Sequence, residues 1–239
     1  MSTPHLFVAP GDCDDDRVTV RGDAAHHLLR VLRRAVGDGV SVADGSGTVR
    51  HVVIRAVDGG VAACEVVAQR HVPPASPRVR VVCGLPRQRK LDDVVQRLTE
   101  LGVDEIVPVL TARSQVQLRG PRAERAVARW QAVARAAAEQ SRRPRLPAIA
   151  EVSTWQHAFA GERHGVVFWE EAAQPLHAVA FDDRAAQVTV GVGPEGGLTA
   201  DEVTTAGLPA VSLGRAILRT ETAGVVAPAL VLHRLGRLG

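Results

Sequence analysis

Cysteine is scarce and long apolar runs are absent in this chain of 239 residues. The cysteines Cys13, Cys64 and Cys83 are far apart and form neither a Cys-x-x-Cys motif nor a Cys/His ligand spacing. This pattern argues against a disulfide framework and against a zinc site. No apolar run reaches membrane-spanning length, and no signal-peptide pattern opens the chain. We therefore expect reduced thiols, no bound metal, no membrane association and a cytoplasmic location.

Lysine is also scarce, because Lys90 is the single lysine and arginine supplies the rest of the 29 basic residues. Arginine makes bidentate contacts with phosphates and stacks on bases, so this composition favours RNA binding. A codon bias towards arginine and alanine would produce the same composition. An apolar content of 46% and a charged content of 23% are typical of a globular fold, with one large domain or two small ones.

Residues 1–72 carry the pattern of a small β-domain. Asp44-Gly45-Ser46-Gly47 and Asp58-Gly59-Gly60 separate strand-like runs and are strong hairpin signals. We predict a small barrel or sandwich, with a short basic helix over Asp23–Arg34. The proline-rich residues 73–77 then predict a linker. The predicted strands are Val18–Arg21, Val40–Ala43, Thr48–Val57 and Val61–Val67.

Residues 78–239 alternate between strands and helices. Such alternation predicts an α/β domain with a mostly parallel sheet that helices cover on both faces. The predicted strands are Arg78–Gly84, Val103–Leu110, Gly165–Trp169, Gln187–Gly193 and Pro209–Leu213. The predicted helices are Leu91–Leu101, Pro121–Gln140 and Thr222–Leu235, and Trp130 and Trp155 are expected in the core or at an interface.

Two glycine-containing loops in the C-terminal third follow two of these strands. The first, Gly193-Pro194-Glu195-Gly196-Gly197, leads into a helix whose start is marked by the capping-box spacing of Thr199 and Glu202. The second begins at Gly214 and leads into the last helix, for which Thr220 or Thr222 is a suitable cap. Loops that leave strand ends in an α/β sheet are where ligands bind, so we expect a binding site here.

Glycines in the first loop also match the dinucleotide fingerprint, as Gly191-x-Gly193-x-x-Gly196. That match would suggest a nicotinamide-dependent oxidoreductase. Pro194 and Glu195 argue against it, since a carboxylate would face the pyrophosphate. A simple tight turn between strand and helix would produce the same glycines.

Both loops together resemble the RsmE family. The resemblance lies in Gly193-Pro194-Glu195-Gly196-Gly197 followed by Leu213-Gly214-Arg215-x-Ile217-Leu218-Arg219-x-Glu221-Thr222-Ala223. Further matches are Leu85-Pro86-Arg87-x-Arg89-Lys90, Thr99-Glu100-Leu101-Gly102-Val103, Arg113-Ser114 and Ala137-x-Glu139-Gln140-Ser141-Arg142-Arg143-Pro144. The chain departs from the family pattern at His5-Leu6-Phe7, where arginines usually precede a Phe pair.

Members of this family are SPOUT-class methyltransferases that methylate N3 of a uridine in 16S ribosomal RNA. The resemblance implies a PUA-like RNA-binding β-barrel over residues 1–72 and a trefoil-knotted SPOUT domain over 78–239. It also implies S-adenosylmethionine as the methyl donor, the small ribosomal subunit as the partner, and a homodimer. The last helix is apolar nearly all round, at Val225, Val226, Ala229, Leu230 and Leu232, which is consistent with a dimer.

Site residues follow from the resemblance and from the chemistry of the loops. Glycines allow close backbone approach to a nucleoside, and apolar residues supply walls for its adenine. We expect Arg219 to stabilise the developing uracil anion, and Glu221 to orient Arg219 or to accept the N3 proton. The expected cofactor-binding residues are Phe168, Glu170, Val192, Gly193, Glu195, Gly196, Leu213, Gly214, Ile217, Leu218 and Thr222.

RNA contact is expected to be spread over many basic residues, each of which a solvated surface charge would also explain. As a set they would form an electrostatic footprint for RNA. They are Arg30, Arg33, Arg34, Arg87, Arg89, Lys90, Arg113, Arg142 and Arg143. Two further alternatives remain open: a SPOUT enzyme acting on transfer RNA or on a ribose 2′-OH, and an RNA-binding module without activity.

Overall fold

A computed structural model of the chain describes residues 3–87, 90–182 and 184–238. The chain forms two compact units, each with its own core. Unit 1 comprises Met1–Pro74 and Ala138–Leu146, and unit 2 comprises Ala75–Ala137 and Pro147–Gly239. This division follows contacts alone, so the functional domain boundaries expected from the sequence, 1–72 and 78–239, stay a prediction.

Unit 1 is built on a mixed sheet in which the described residues form five strands, in the order β1-β3-β4-β5-β2. Strand β1 pairs with β3 in parallel, and the other pairs are antiparallel. The β4–β5 hairpin turns at Gly59 and Gly60, which have φ angles of 53° and 80°, as the predicted turn requires. The strands are β1 (His5–Phe7), β2 (Arg17–Val20), β3 (Gly39–Ala43), β4 (Thr48–Asp58) and β5 (Val61–His71).

The predicted short helix is present in unit 1 as two consecutive turns of different type. Helix α1, Gly22–His26, continues as a π-helical turn over His27–Val31. Leu28 is buried against the sheet core with Ile54, while His26, His27 and Arg30 are exposed. The helical turns end at Val31, so Arg33 and Arg34, which were predicted on the basic face of this helix, lie beyond its end.

Residues 138–146 belong to unit 1 through specific polar contacts. The backbone N–H of Phe7 donates to Glu139 Oε1 at 3.0 Å, and His5 Nε2 lies 2.9 Å from the carbonyl oxygen of Arg143. The guanidinium of Arg145 donates to the carbonyl of Val72 at 2.8 Å and to that of Ser46. Since these contacts join positions far apart in the sequence, the sequence pattern did not predict them.

Unit 2 contains a parallel sheet, and its described strands run in the order β12-β10-β11-β6-β7-β8, with β9 also paired to β7. The strands are β6 (Arg78–Gly84), β7 (Glu105–Leu110), β8 (Ala148–Ile149), β9 (Ser153–Thr154), β10 (Gly165–Phe168), β11 (Gln187–Val192) and β12 (Ala210–Val211). The helices are α2 (Lys90–Leu101), α3 (Pro121–Gln140), α4 (Trp155–Phe159), α5 (Ala200–Ala206) and α6 (Thr220–Arg234).

Helices cover both faces of this sheet, as predicted for an α/β domain. Along β6, Val81 belongs to the core cluster that contains Leu98 of α2 and Val231 of α6. Its neighbour Val82 belongs to a separate cluster on the other face, with Trp155 of α4 and other residues. This alternation follows from the two-residue period of a strand. The fold class predicted from the sequence is therefore confirmed, and the knot that the resemblance implies stays a prediction.

Helix starts were predicted with mixed success. The capping box of α5 is confirmed: Thr199 Oγ1 accepts from the backbone N–H of Glu202 at 3.2 Å, and Glu202 Oε2 accepts from that of Thr199 at 2.9 Å. The predicted cap of α6 is wrong, because Thr220 is already its first residue and the N-cap is Arg219, without a side-chain bond. Of the helices described, none is long and apolar enough to span a membrane.

Candidate active site

The carboxyl ends of three neighbouring parallel strands, β10, β11 and β12, border a cavity of about 450 Å³ in unit 2. Loops that follow strand ends on one edge of a parallel sheet converge, which is why ligands bind there. Of the predicted cofactor residues, those lining the cavity are Phe168, Glu170, Val192, Gly193, Glu195, Leu213, Gly214, Ile217 and Leu218. Gly196 and Thr222 are not among its lining residues in the described part of the chain.

The glycine loop after β11 is folded so closely that side chains are excluded. Gly197 has a φ angle of 71°, which favours glycine, and a Cβ there would collide with Glu170 Oε1. A Cβ on Gly196 would lie 2.9 Å from Cβ of Arg113. These glycines therefore allow the loop to pack against Glu170 and Arg113, while their approach to a nucleoside stays a prediction.

The turn after β7 forms hydrogen bonds with the glycine loop and the helix that follows it. The guanidinium of Arg113 donates to the carbonyls of Gly196 at 3.1 Å and Leu198 at 3.3 Å. The backbone N–H of Ala112 donates to Glu202 Oε1 at 2.7 Å. Arg113 was predicted to contact RNA, and the structure places it against the loop that forms one wall of the cavity.

The loop after β12 forms the opposite wall. It turns at Gly214, whose φ angle is 115°, and Ser212 Oγ accepts from the Gly214 N–H at 3.0 Å. Ile217 lines the cavity, but its side chain is 88% exposed. Arg219 follows at the N-cap of α6 and also lines the cavity. Its side chain is exposed and makes no hydrogen bond or ion pair with the described residues.

Lys90 links the two walls. Its Nζ lies 3.1 Å from Glu221 Oε2 at the start of α6 and 3.4 Å from Glu195 Oε1 in the glycine loop. The same Glu195 carboxylate accepts from the backbone N–H of Arg87 at 3.1 Å. The hydrogen bond with Glu221 raises the pKa of Lys90 above its ordinary value. Lys90 was assigned to RNA binding from the sequence, and nothing in the motif spacing indicated that two carboxylates would hold it.

Glu221 is held in its ionised form. A hydrogen bond involving its own backbone, followed by the hydrogen bond from Lys90, lowers the pKa of Glu221, and the charge of Arg219 lowers it further. A carboxylate with a lowered pKa is a poor acceptor for the uracil N3 proton. The lowered pKa argues against the proton-accepting role expected for Glu221, and its role beside Arg219 stays a prediction.

The remaining predicted RNA-binding residues lie in both units. Arg30 and Arg33 are exposed in unit 1, and Arg34 follows them, half-buried. Arg142 and Arg143 lie in the 138–146 segment of the same unit, and Arg87 is exposed in unit 2. Arg89 lies outside the described residues.

Known proteins resemble this chain over nearly its whole length. A family model described as the RNA methyltransferase domain matches residues 74–232, and one described as the RNA methyltransferase PUA domain matches residues 20–67. The ribosomal RNA small subunit methyltransferase E of Mycobacterium bovis is 34% identical over 218 residues, covering 87% of this chain and 83% of that protein. This chain belongs to the ribosomal RNA small subunit methyltransferase E family. The family member from Bacillus subtilis is 30% identical over 229 residues, 90% of each chain.

A solved structure supports the same assignment. The crystal structure of the Neisseria gonorrhoeae family member, bound to S-adenosyl methionine, matches with a TM-score of 0.87 and 26% identity over 98% of both chains. The membership implied by the two loop motifs is thus confirmed, and the nicotinamide alternative is not favoured.

The residues of the cavity fit the nucleoside cofactor of this methyltransferase family. Val192, Leu213 and Leu218 supply apolar surface for a base, and the cavity volume lies within the range of small-molecule sites. Glu170 and Glu195 provide negative charge, which suits a sulfonium and disfavours a phosphate. Lys90, which the sequence assigned to RNA binding, also lines the cavity, as do Trp169 and Ser212, which the sequence analysis did not assign to the site. Trp169 follows Phe168 and Ser212 precedes Leu213, and both neighbours were predicted cofactor residues at strand ends. This adjacency could have indicated that Trp169 and Ser212 also line the site.

Proposed function

We propose that this protein transfers the methyl group of S-adenosylmethionine to N3 of a uridine in 16S ribosomal RNA. The observation that carries the proposal is the cavity at the ends of β10, β11 and β12, with Arg219 exposed at its edge. The resemblance of both loops to a family whose named members are ribosomal RNA methyltransferases supports it.

Cofactor binding rests on the two loops. S-adenosylmethionine supplies a methyl group on a positively charged sulfur. The predicted residues that line the cavity offer apolar walls, backbone groups and carboxylates to it. Gly196 contributes indirectly, by allowing the loop to lie against Arg113. Thr222 is exposed on the first turn of α6, and we keep it as a predicted cofactor contact.

Arg219 acts on the uracil. N3 of uridine carries a proton, and its loss places negative charge on the ring and its carbonyl oxygens. A guanidinium beside O2 or O4 stabilises that charge where it develops. Arg219 is free of competing partners among the described residues, and the Glu221 carboxylate lies near enough to interact with its charge. Glu221 would act on Arg219 through its charge, without a direct contact in this structure, and the N3 proton would leave to solvent.

RNA binding involves both units. Arg30 and Arg33 of unit 1 are exposed and lie within residues 20–67, which match the PUA-domain model. In unit 2, the exposed Arg87 precedes the cavity residue Lys90 by three positions. Phosphate contacts of this kind release counterions, so RNA affinity should fall steeply with salt concentration. A flat salt response would contradict this part of the proposal.

We also propose that the protein is a cytoplasmic homodimer. Val226 and Leu230, four residues apart on α6, are 36% and 41% exposed and lie on one side of the helix. Sedimentation should give the mass of a dimer, and Leu230→Asp should lower it to that of a monomer. A monomeric wild type would contradict the dimer without affecting the proposed chemistry.

The reaction is tested with tritiated S-adenosylmethionine, purified protein and small ribosomal subunits from cells that lack the gene. Nucleoside mass spectrometry should find the label as N3-methyluridine in 16S ribosomal RNA. Label on a ribose 2′-oxygen or on transfer RNA would show that the protein catalyses a different methyl transfer and would contradict the proposed reaction. Cofactor binding without any label would indicate an RNA-binding module.

A further inference from the structure

A second cavity in unit 2, of about 330 Å³, lies between the segment after β6 and the first turns of α3. We call it the arginine groove. Arg122, Arg125 and Arg129 of α3 line it, together with the apolar side chains of Leu85, Val116 and Leu118. None of these residues except Leu85, which belongs to a family motif, was singled out in the sequence.

The arginines share one side of α3. Their spacing of three and four residues places them on one face of a helix, while Glu124, the acidic residue of the first turn, lies on the opposite side. Arg122 and Arg125 are exposed and make no hydrogen bond or ion pair with the described residues. The groove therefore carries at least two uncompensated positive charges.

The third arginine is fixed and helps to form the floor. Arg129 Nε lies 3.1 Å from Asp92 Oδ1, which also accepts from Trp130 Nε1 at 3.0 Å. The guanidinium of Arg129 is 5.9 Å from the centroid of the Trp130 ring, and this tryptophan is only 2% exposed. The groove thus has an apolar floor with arginines at its rim, and Trp130 is buried beneath it.

The cavity at the carboxyl ends of β10, β11 and β12 is called here the methyl-transfer cavity, and residues that are adjacent in the sequence line it and the arginine groove. Lys90 lines the methyl-transfer cavity, and the next residue, Leu91, lines the groove. Leu85 and Pro86 of the same segment also line the groove, and the Arg87 N–H bonds to Glu195 of the other cavity. The described residues on both sides of positions 88 and 89 therefore border the two cavities.

We propose that the arginine groove binds a single-stranded nucleotide of the RNA substrate, next to the uridine that is methylated. An apolar floor with a guanidinium rim suits a base that stacks and a phosphate that pairs, the combination found in single-strand binding sites. Duplex RNA hides its base faces and would use only the charges. This inference rests on the proposed function, because it takes RNA as the substrate.

The test measures RNA binding directly. A fluorescein-labelled single-stranded RNA of about 12 nucleotides, a length within the range of single-strand sites, is titrated by fluorescence anisotropy. The double variant Arg122→Ala/Arg125→Ala should weaken binding at least ~10-fold and reduce the slope of log K against log salt by about 1.4, the value for two phosphate contacts to a single strand. Unchanged affinity and slope would overturn the proposal.

Arg163→Ala/Arg184→Ala is the matched control. Both arginines are exposed in unit 2, and they precede β10 and β11, at the amino ends of the strands, away from the carboxyl ends that border the methyl-transfer cavity. The control removes the same charge and should change single-strand affinity by less than about twofold. An equal loss in both double variants would show a general charge effect and overturn the site.

Two further comparisons separate a nucleotide site from a merely charged surface. Arg122→Lys/Arg125→Lys keeps the charges but loses the planar guanidinium groups, so the salt slope should recover while affinity stays several-fold below wild type. Alanine variants should lose more affinity for the single strand than for the corresponding duplex. Full recovery with lysine, or equal losses for single strand and duplex, would overturn the nucleotide site.

Failure of this inference is distinguishable from failure of the proposed function. Anisotropy requires no turnover, and thermal unfolding checks that each variant is folded. If the wild-type protein methylates 16S ribosomal RNA and Arg122→Ala/Arg125→Ala keeps full affinity for the single strand, the nucleotide site is wrong and the proposed function stands. A wild type that binds the single strand through these arginines but methylates no RNA would support the groove and contradict the proposed function.

Discussion

Lys90 and Glu221 form an ion pair across the candidate active site, with 3.1 Å between Nζ and Oε2, although 131 positions separate them in the sequence. The same ammonium lies 3.4 Å from Glu195. Two carboxylates on opposite walls of the cavity are therefore held by one cation. Without that cation, their charges would repel each other.

Replacement of Lys90 should loosen the cavity. Lys90→Met leaves Glu195 and Glu221 unbridged, so we expect a several-fold loss of affinity for S-adenosylmethionine, measured by calorimetry. Lys90→Arg keeps a positive group that forms hydrogen bonds with both carboxylates, and it should retain most of the affinity. Equal affinities for Lys90→Met and wild type would contradict the bridging role.

The contribution of this ion pair to stability should depend on pH. The lowered pKa of Glu221 means that its contribution is complete above the ordinary value of 4.5 and is lost as the pH falls through the lowered pKa. The raised pKa of Lys90 means that its contribution is complete below 10.5 and is lost as the pH rises through the raised pKa. The difference in Tm between wild type and Lys90→Met should therefore be constant between these values and shrink outside them. A difference that changes around neutral pH would point to other groups.

Gly197→Ala should damage the glycine loop in a way that a matched glycine does not. Gly197 has a φ angle of 71° and its Cβ would meet Glu170, whereas Gly207, the C-cap of α5, has a φ angle of 64° and nothing within 4 Å of its Cβ. Both substitutions should cost about 1–2 kcal/mol of unfolding free energy through the left-handed backbone. Only Gly197→Ala should also abolish binding of S-adenosylmethionine in a calorimetric titration. Equal affinity for S-adenosylmethionine in the two variants would show that the glycine loop does not take part in cofactor binding.

Arg219→Ala should separate catalysis from cofactor binding. Loss of one preorganised group that stabilises developing charge lowers kcat by about 10²–10³-fold. The affinity for S-adenosylmethionine should stay within a few-fold, since the role of Arg219 is directed at the uracil. Single-turnover methylation and calorimetry measure the two quantities, with Arg163→Ala, exposed in unit 2 before the amino end of β10, as the control. Undiminished methylation by Arg219→Ala would show that Arg219 has no role in the reaction.

Two buried thiols report on the two units separately. Burial raises the pKa of Cys64 in unit 1 to about 11 and that of Cys83 in unit 2 to about 12, so both are protonated and shielded near neutral pH. Pulsed alkylation across a urea series, followed by peptide mass spectrometry, should label the partly exposed Cys13 first. Cys64 and Cys83 should react only when their own units unfold. Labelling of Cys83 without denaturant, at the rate of Cys13, would contradict its place in the core.

Local patterns predicted most elements of the scaffold, but not the short elements β1, β8, β9 and α4. The proline at the start of α3 and the apolar period after it gave its bounds, Pro121–Gln140, and the Thr199–Glu202 spacing gave the start of α5. The two glycine loops identified the cavity because strand ends and turn residues are local signals. The cap of α6 was mispredicted, since the competing threonines lie one and three positions inside the helix.

Long-range pairs could not be predicted from a single sequence. Arg113 and Lys90 were both interpreted as RNA contacts, but their partners are the glycine loop and the carboxylates Glu195 and Glu221. The contacts of His5 with Arg143 and of Phe7 with Glu139 depend on how the chain returns to unit 1. A charged side chain carries no local sign of the partner that it will meet.

The most direct test of the account is a crystal structure of this protein with S-adenosylmethionine at saturating concentration. We predict that the adenosine occupies the cavity between Phe168, Val192 and Leu213, with the methyl group towards Arg219. Density for the cofactor at any other place, or an empty cavity in the presence of saturating cofactor, would contradict the central claim.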